Sequence, residues 1–362
     1  MKMKRKHYLD NIRWVTVLIV VVYHVFYLFN GVGVLGGVGA FAQVQYQDAV
    51  LYVVYPWFMV LLYVIAGISA RYALEKKSHR QFMKERTLKL LVPSTLGVIV
   101  FQWVVGYLNI KIGGGLEMIP KFILYPICVL SGSGPLWFAH FLWLFSLILV
   151  GIRKLDKKDK FFDLCGKSNL LIILGLGIFI WISAQILNMP VITVYRFGIY
   201  FVSFLIGYFV LAHDNIQDKI EKIHLPLLVV SVLGAVCYVW YYFGTNYTSD
   251  ACLKSLFTNS YAWIVVLAMI GCFKAWYNKT DRFAAYMTRI SFGIYVLHYV
   301  VVLYGCYLLK SATQLPTVVI YAIAIIMALV LPVLLYEVMR RIPILRFCVL
   351  GVKEKNRMKN CS

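Results

Sequence analysis

Apolar residues run in long blocks along almost the whole chain, broken by short polar stretches. Ten blocks reach the roughly 17–25 residues that a helix needs to cross about 30 Å of hydrocarbon. They cover approximately residues 14–30, 51–72, 91–110, 135–152, 169–187, 196–212, 225–243, 261–277, 290–309 and 316–338. A backbone in lipid must satisfy its own hydrogen bonds, and blocks of this length do so as helices. The pattern predicts an all-α polytopic membrane protein, a single integral membrane domain over residues 1–362 with about ten transmembrane helices in one bundle. The main connections are residues 31–50 and 111–134 on one side and 73–90, 153–168 and 278–289 on the other.

Composition agrees: 62% of residues are hydrophobic, 14% are charged, and the mean hydropathy is +0.78. The formal charge of +21 would suit nucleic acid in a soluble protein, but here the placement of the cations decides. With residues at span ends counted in the adjoining segment, Lys and Arg number 5 at the amino terminus. The successive connections hold 0, 7, 2, 6, 1, 2, 1, 4 and 1, and the carboxyl tail 7. Alternate segments thus hold 31 of the 36. The positive-inside rule then puts both termini in the cytoplasm of a multi-pass plasma-membrane protein and leaves no case for nucleic acid. The stretches "EKKSHRQFMKERTLK" and "KEKNRMKN" are topology determinants beside anionic lipid. The amino-terminal "KMKRK" before an apolar run resembles a signal peptide, but Asp10, Arg13 and His24 within the run, and the odd number of spans that cleavage would leave, favour retention.

Eight cysteines are present with no CxxC, and no metal site is expected. Cys128 and Cys252 both fall on the outer side, where pairing is an open question. "GVGVLGG" at 31–37 contains a formal GxGxxG, but it follows a membrane helix instead of a strand, so its glycines serve a turn.

Ionisable residues within spans are costly and narrow the search for function. Arg13 and His24 are eleven residues apart, close to three helical turns, which puts both on one face about 16 Å apart with Thr16 and Val20 between them. A permanent cation at the cytoplasmic boundary and an imidazole near mid-bilayer suit an elongated ligand, anionic at one end and reactive at the other. Taken singly, Arg13 also fits a snorkelling anchor and His24 an interhelical hydrogen bond. His298 lies nine residues beyond Arg289, about 13 Å into the ninth span from the same side, and approaches His24 in depth or bonds another helix. His140, with Trp137 and Trp143, fits an outer aromatic belt. Arg86 and Lys89, three apart at the start of the third span, either clamp a phosphate or follow the positive-inside rule. Glu337 precedes Arg340 and Arg341 at the spacing of a local ion pair.

At these residues a resemblance emerges. "YLDNIRWVTVLIVVVYHV", with Asp10, Arg13 and His24, is similar to the first span of the acyltransferase type 3 family, which carries an arginine early in the span and a histidine eleven residues later. "PWFMVLLYVIAGISARYALEKKSHRQFMKERTLKLLVP" resembles that family's second span and the approach to its third, especially in the branch containing glucan biosynthesis protein C. "SGPLWFAHFLWLFSLI", with Trp137, resembles the fourth span, and "ISFGIYVLHYVVV", with Tyr295 and His298, the late tyrosine-and-histidine motif. The family often carries Arg-x-x-Arg where this chain has Arg86-Thr-Leu-Lys89, which keeps the charge but loses the second bidentate fork.

The resemblance implies transfer of an acyl group, acetyl or succinyl, from cytoplasmic acyl-CoA to a hydroxyl, often on a cell-envelope glycan or a lipid-linked acceptor. Acyl-CoA is then a donor substrate, with no permanently bound cofactor. Arg13 and His24 match the family's functional pair; Arg86, Lys89 and Arg13 would meet the CoA phosphates; Asp10, Tyr295, Trp137 and His298 are secondary candidates. His24 would act as base or as transient acyl carrier. Two other classes remain: a secondary transporter using His24 and His298 as proton relays, and a non-catalytic scaffold.

Overall fold

The computed structural model describes residues 5–33, 37–156, 158–190 and 194–352. Each of the ten predicted segments is helical. Among the described residues eight helices, against the ten expected, are long and apolar enough to cross a membrane: α1 His7–Leu28, α2 Tyr46–Leu74, α3 His79–Ile112, α5 Gly134–Leu155, α9 His224–Tyr242, α10 Leu256–Trp276, α11 Arg282–Ala312 and α12 Thr317–Met339; a bent pair would make a ninth. α7 Phe197–Phe209 is joined to α8 Asp214–Lys222 by a bend of 105°, and α6 Leu170–Ser183 is a shorter apolar helix of 14 residues. The protein is thus all-α and membrane-integral. Beside the helices, a small antiparallel hairpin pairs β1 Asn188–Pro190 with β2 Val194–Arg196 between α6 and α7.

Several helices begin ahead of their apolar block, because hydropathy marks the buried stretch and not the first polar turn. α1 starts at His7, and α11 starts at Arg282, where the Asp281 carboxylate accepts from the Ala284 backbone N–H at 2.7 Å as an N-cap. The connection 111–134, expected as a loop, contains the 11-residue apolar helix α4 Lys121–Ser131, with Pro126 inside it, packed on α3. α3 itself carries two π turns, Thr87–Leu91 and Val98–Gln102, which the apolar pattern did not reveal.

α1 runs through the middle of the bundle, against α2, α10, α11 and α12. α9 and α12 lie outside and expose side chains such as Val229, Leu233, Ile326 and Leu334, as lipid-facing helices do. Hydroxyls inside the bundle bond back one turn, as Thr16 does to the Ile12 carbonyl at 2.7 Å and Ser146 to the Leu142 carbonyl at 2.7 Å. α2 and α7 cross through reciprocal glycines. A Cβ on Gly67 would stand 2.1 Å from the Phe204 carbonyl oxygen, and one on Gly207 would stand 2.2 Å from that of Val64. Only hydrogen fits between the two backbones.

The connections gather at two ends. At the basic end the Lys6 ammonium bonds Asp214 and, at 2.6 Å, Gln217. There too the Arg71 guanidinium pairs with Asp159 at 3.0 Å over the Phe162 ring, and Lys274 pairs with Glu221 at 2.9 Å. At the opposite end Lys310 donates to the carbonyls of Val38, Gly39 and Ala40 at 2.7–3.1 Å, and the Trp181 indole to that of Lys254 at 3.1 Å. This grouping follows the alternation of basic and neutral connections. The tail stretch "KEKNRMKN" and residues 34–36 of the glycine-rich stretch lie outside the described residues.

Candidate functional site

One stripe of α1 lines two cavities in succession. Arg13 and Val17 face a cavity of about 520 Å³ at the basic end, and Val20 and His24 face a smaller one of about 120 Å³ deeper in the bundle. Thr16, expected on this face, is fully buried with its hydroxyl on the Ile12 carbonyl, so Val17 takes the lining position four residues from Arg13.

Four cations converge on the larger cavity: Arg13, Arg86, Lys89 and Arg289, from α1, α3 and α11. Glu85, its only carboxylate among the described residues, is held by Lys77 at 2.5 Å. Arg13 is positioned by both neighbours: its Nη1 donates to Asp10 at 3.2 Å and its Nη2 to the Ser69 hydroxyl at 2.8 Å. Asp10 is also paired with Arg5 at 2.8 Å, so the charge it lends Arg13 is shared. The Arg86 guanidinium lies 5.0 Å from the centre of the Phe82 ring. Neither Arg86, Lys89 nor Arg289 makes a hydrogen bond or ion pair among the described residues. Lys89 sits in the first π turn, a distortion frequent at functional sites, which the Trp143 indole ties to α5 by donating to Thr87 Oγ1 at 2.9 Å. Trp143 therefore braces the basic cavity and is not part of an outer aromatic belt. The surplus of cations at one mouth has the charge to suit a multiply charged anion.

The deeper cavity has the opposite character. Among the described residues no Asp, Glu, Lys or Arg lines it; Tyr23, Tyr27, Tyr55, Tyr200, Tyr299 and Trp137 do, with Asn109, Ser131 and Ser133. Trp137 stacks on Tyr200, ring centres 5.7 Å apart. Among the described residues the phenol hydroxyls of Tyr27, Tyr55, Tyr200 and Tyr299 bond no protein group. Such a cavity offers flat apolar faces and several hydrogen-bonding groups without charge. His140, expected near Trp137, lines neither cavity.

His24 brings an imidazole into this wall. Its Nδ1 lies 2.7 Å from the Val20 carbonyl oxygen and 3.2 Å from Nε2 of the fully buried His298, whose own Nδ1 lies 2.7 Å from the Tyr295 carbonyl. The two carbonyls assign the protons. For neutral rings each Nδ1 must carry the hydrogen, His298 Nε2 accepts from His24, and His24 Nε2 keeps its lone pair. The arrangement thus presents a basic imidazole nitrogen with its tautomer fixed from behind, beside the ring of Tyr299 at 5.1 Å between centres. Tyr295 lines both cavities, and its hydroxyl donates to the carbonyl of Pro135 in the wall of the deeper one.

Arg289, the unpaired phenols and the π turn were not singled out by the sequence; only the helical offset of Arg289 from His298 hinted at the first. Glu337 pairs with Arg340 at 2.5 Å, as its spacing suggested, and accepts from the Tyr286 hydroxyl at 2.9 Å. Cys128 and Cys252 are both free thiols, the latter 3.0 Å from the Tyr238 hydroxyl. Among the described residues no group of three or more His, Cys, Asp or Glu is placed to hold a metal ion.

No curated protein and no solved structure matches the chain. A family model described as an acyltransferase domain matches residues 6–337, nearly the whole length. The chain belongs to the acyltransferase type 3 family and is a membrane-embedded transferase of acyl groups.

Proposed function

We propose that the protein transfers an acetyl group from cytoplasmic acetyl-CoA to a hydroxyl of a cell-envelope glycan or related lipid-linked acceptor, with both termini in the cytoplasm of a plasma-membrane protein. The observation that carries this reading is the single stripe Arg13–Val17–Val20–His24, which joins a cavity rich in unpaired cations to a neutral aromatic one. The CoA phosphates would meet Arg86, Lys89 and Arg13, and the pantetheine arm would follow α1 toward His24. The tyrosines and Trp137 would stack on and hydrogen-bond a sugar ring. Since every lining residue around His24 is uncharged, an acetyl group suits the reaction centre better than succinyl, whose carboxylate would find no cation there.

In the reaction the acceptor oxygen attacks the thioester carbonyl, forming the ester C–O bond as the C–S bond breaks. His24 Nε2 takes the hydroxyl proton and returns it to the departing thiolate, so that ester and free CoA thiol leave. His298 Nε2 accepts the Nδ1 hydrogen of the imidazolium that forms, in the orienting role that a carboxylate plays in a catalytic triad. The bundle around the thioester limits its hydrolysis.

The test is incubation of the purified protein in lipid nanodiscs with acetyl-CoA labelled in the acetyl group, alongside mass spectrometry of envelope glycans and lipids from cells with and without the protein. Label in an acceptor, release of CoA thiol and a matching acetyl mass difference are expected. Absence of both CoA release and acceptor label would overturn the reading and favour a carrier.

A further inference from the structure

Beside the basic cavity lies a second, smaller one at the same end of the bundle, of about 270 Å³, whose wall includes Arg5, His7, Thr280, Thr288 and Arg289. Arg289 belongs to both walls, is exposed, and has no hydrogen bond or ion pair among the described residues. The one carboxylate facing the smaller cavity, Asp10, is already engaged by Arg5 at 2.8 Å and Arg13 at 3.2 Å. Asn11 in the same wall is turned to backbone, donating to the carbonyls of Tyr277 at 2.7 Å and Lys279 at 2.9 Å. Thr280 Oγ1 donates to the Asp281 carbonyl at 3.4 Å, so what remains open to a ligand is the Arg289 guanidinium, the His7 imidazole and the Thr288 hydroxyl.

Two adjoining anion sites that share an arginine suit a ligand carrying two separate phosphoryl clusters. CoA is such a molecule: its pyrophosphate continues into the pantetheine arm, while a monoester phosphate sits apart on the 3′ position of the ribose. The unpaired cations Arg86 and Lys89, with Arg13, stand in the cavity that leads along α1 to His24, so the pyrophosphate belongs there. The ribose then spaces the monoester away from them, toward Arg289 and the smaller cavity.

We infer that this smaller cavity is the seat of the 3′-phosphate of CoA, held by Arg289 with His7, and that the enzyme thereby distinguishes CoA thioesters from dephospho-CoA thioesters. The inference rests on the acyl-CoA reading above and adds a donor-specificity site to it. A phosphate-bearing lipid headgroup has the same chemistry, and the experiment separates the two sources.

Initial rates are measured with acetyl-CoA and with acetyl-dephospho-CoA, which lacks only the 3′-phosphate, for the wild type and for Arg289→Gln and Arg289→Lys in nanodiscs of neutral lipid and of lipid with anionic headgroups. Loss of a charge-assisted hydrogen bond to a phosphate costs about tenfold or more in apparent affinity. The wild type is expected to show a KM for acetyl-dephospho-CoA about tenfold or more above that for acetyl-CoA. Arg289→Gln is expected to raise the KM for acetyl-CoA more than that for the dephospho donor, bringing the two within about threefold, with Arg289→Lys between. Equal KM values for the two donors in the wild type, or a ratio unmoved by Arg289→Gln, would overturn the inference while leaving the acyl-CoA reading intact. A response of Arg289→Gln confined to anionic nanodiscs and equal for both donors would assign the cavity to a lipid headgroup instead. Use of neither thioester by the wild type would overturn the acyl-CoA reading itself.

Discussion

His298 Nε2 lies 3.2 Å from His24 Nδ1, although 274 residues separate them in the chain. Because the His298 Nδ1 hydrogen is committed to the Tyr295 carbonyl, its Nε2 is an acceptor, and with the Val20 carbonyl it shares the Nδ1 hydrogen of His24 and holds that ring with Nε2 free. His298→Leu removes that acceptor and is expected to lower kcat by about 10–100-fold, the range seen when a supporting hydrogen bond behind a functional histidine is lost. His298→Gln, whose amide oxygen also accepts, is expected to recover part of the loss. Equal kcat in the Leu and Gln variants, measured on folded protein, would refute the positioning role.

His24 itself carries the proton transfer in the proposed reaction. His24→Ala is expected to lose transfer by at least about 10²–10⁴-fold, the contribution of a positioned general base, while the protein still inserts and elutes as a single species. His24 lines a cavity wall, so the truncation enlarges a space that already exists and does not hollow the packed core. Normal turnover by a well-expressed variant would exclude this mechanism.

How far these residues were visible in the sequence depends on which physical signal each leaves. The all-α polytopic architecture was legible because long apolar blocks in lipid have one backbone solution, although eight or nine helices, not ten, are long and apolar enough to span, and the Arg13–His24 pair was legible because three helical turns bring eleven-residue spacing back to one face. The assignment of Thr16 to that face failed, since a residue three from Arg13 and eight from His24 sits at the stripe's edge, where its hydroxyl found a backbone acceptor inside the bundle. Lys89 and Arg86 were visible as charge but not as unpaired charge, which depends on where Lys77 and Glu85 lie. Arg289 looked like one more topology cation. The phenols of Tyr27, Tyr55 and Tyr200 looked like ordinary aromatic packing among 26 tyrosines, because whether a hydroxyl has a partner is decided only by tertiary structure.

The cation cluster predicts how donor binding fails. Arg86→Gln removes an unpaired guanidinium from the basic cavity and is expected to raise the KM for acetyl-CoA about tenfold, with a weaker dependence of KM on salt because one fewer charge attracts the phosphates. Arg13→Ala is expected to do the same and also to free Asp10 toward Arg5 alone. Lys89→Arg restores the fork at the third-span start and should leave KM equal or lower. Steady-state kinetics at several ionic strengths check all three; an Arg86→Gln enzyme with unaltered KM and salt response would remove Arg86 from the donor site.

The crossing of α2 and α7 makes a prediction about stability. At Gly67 the nearest neighbours of an added Cβ are backbone atoms of Phe204 and Tyr208, which cannot move aside as a flexible side chain would. Gly67→Val is therefore expected to force the helices apart, costing about 3 kcal/mol or more and lowering the yield of monodisperse protein. Thermal unfolding in detergent measures it. An unchanged Tm would mean that the two helices tolerate separation and that the glycine pair does not set their distance.

Tyr295 is the lining residue common to the two cavities, and its hydroxyl donates to the Pro135 carbonyl. In the proposed reaction the thioester must pass this point to reach His24, so the hydrogen bond holds the neck narrow and limits the water that can reach the thioester from the aromatic cavity. Tyr295→Phe keeps the ring and its packing against Phe138 and Phe292 but deletes that bond. The expected result is leakage: the ratio of CoA thiol released to acceptor ester formed rises several-fold over the wild type, most clearly when acceptor is scarce. Measuring thiol release and labelled ester in the same reaction gives the ratio directly. A ratio equal to the wild type's would show that the neck is closed by the aromatic rings alone and that the hydroxyl has no part in guarding the thioester.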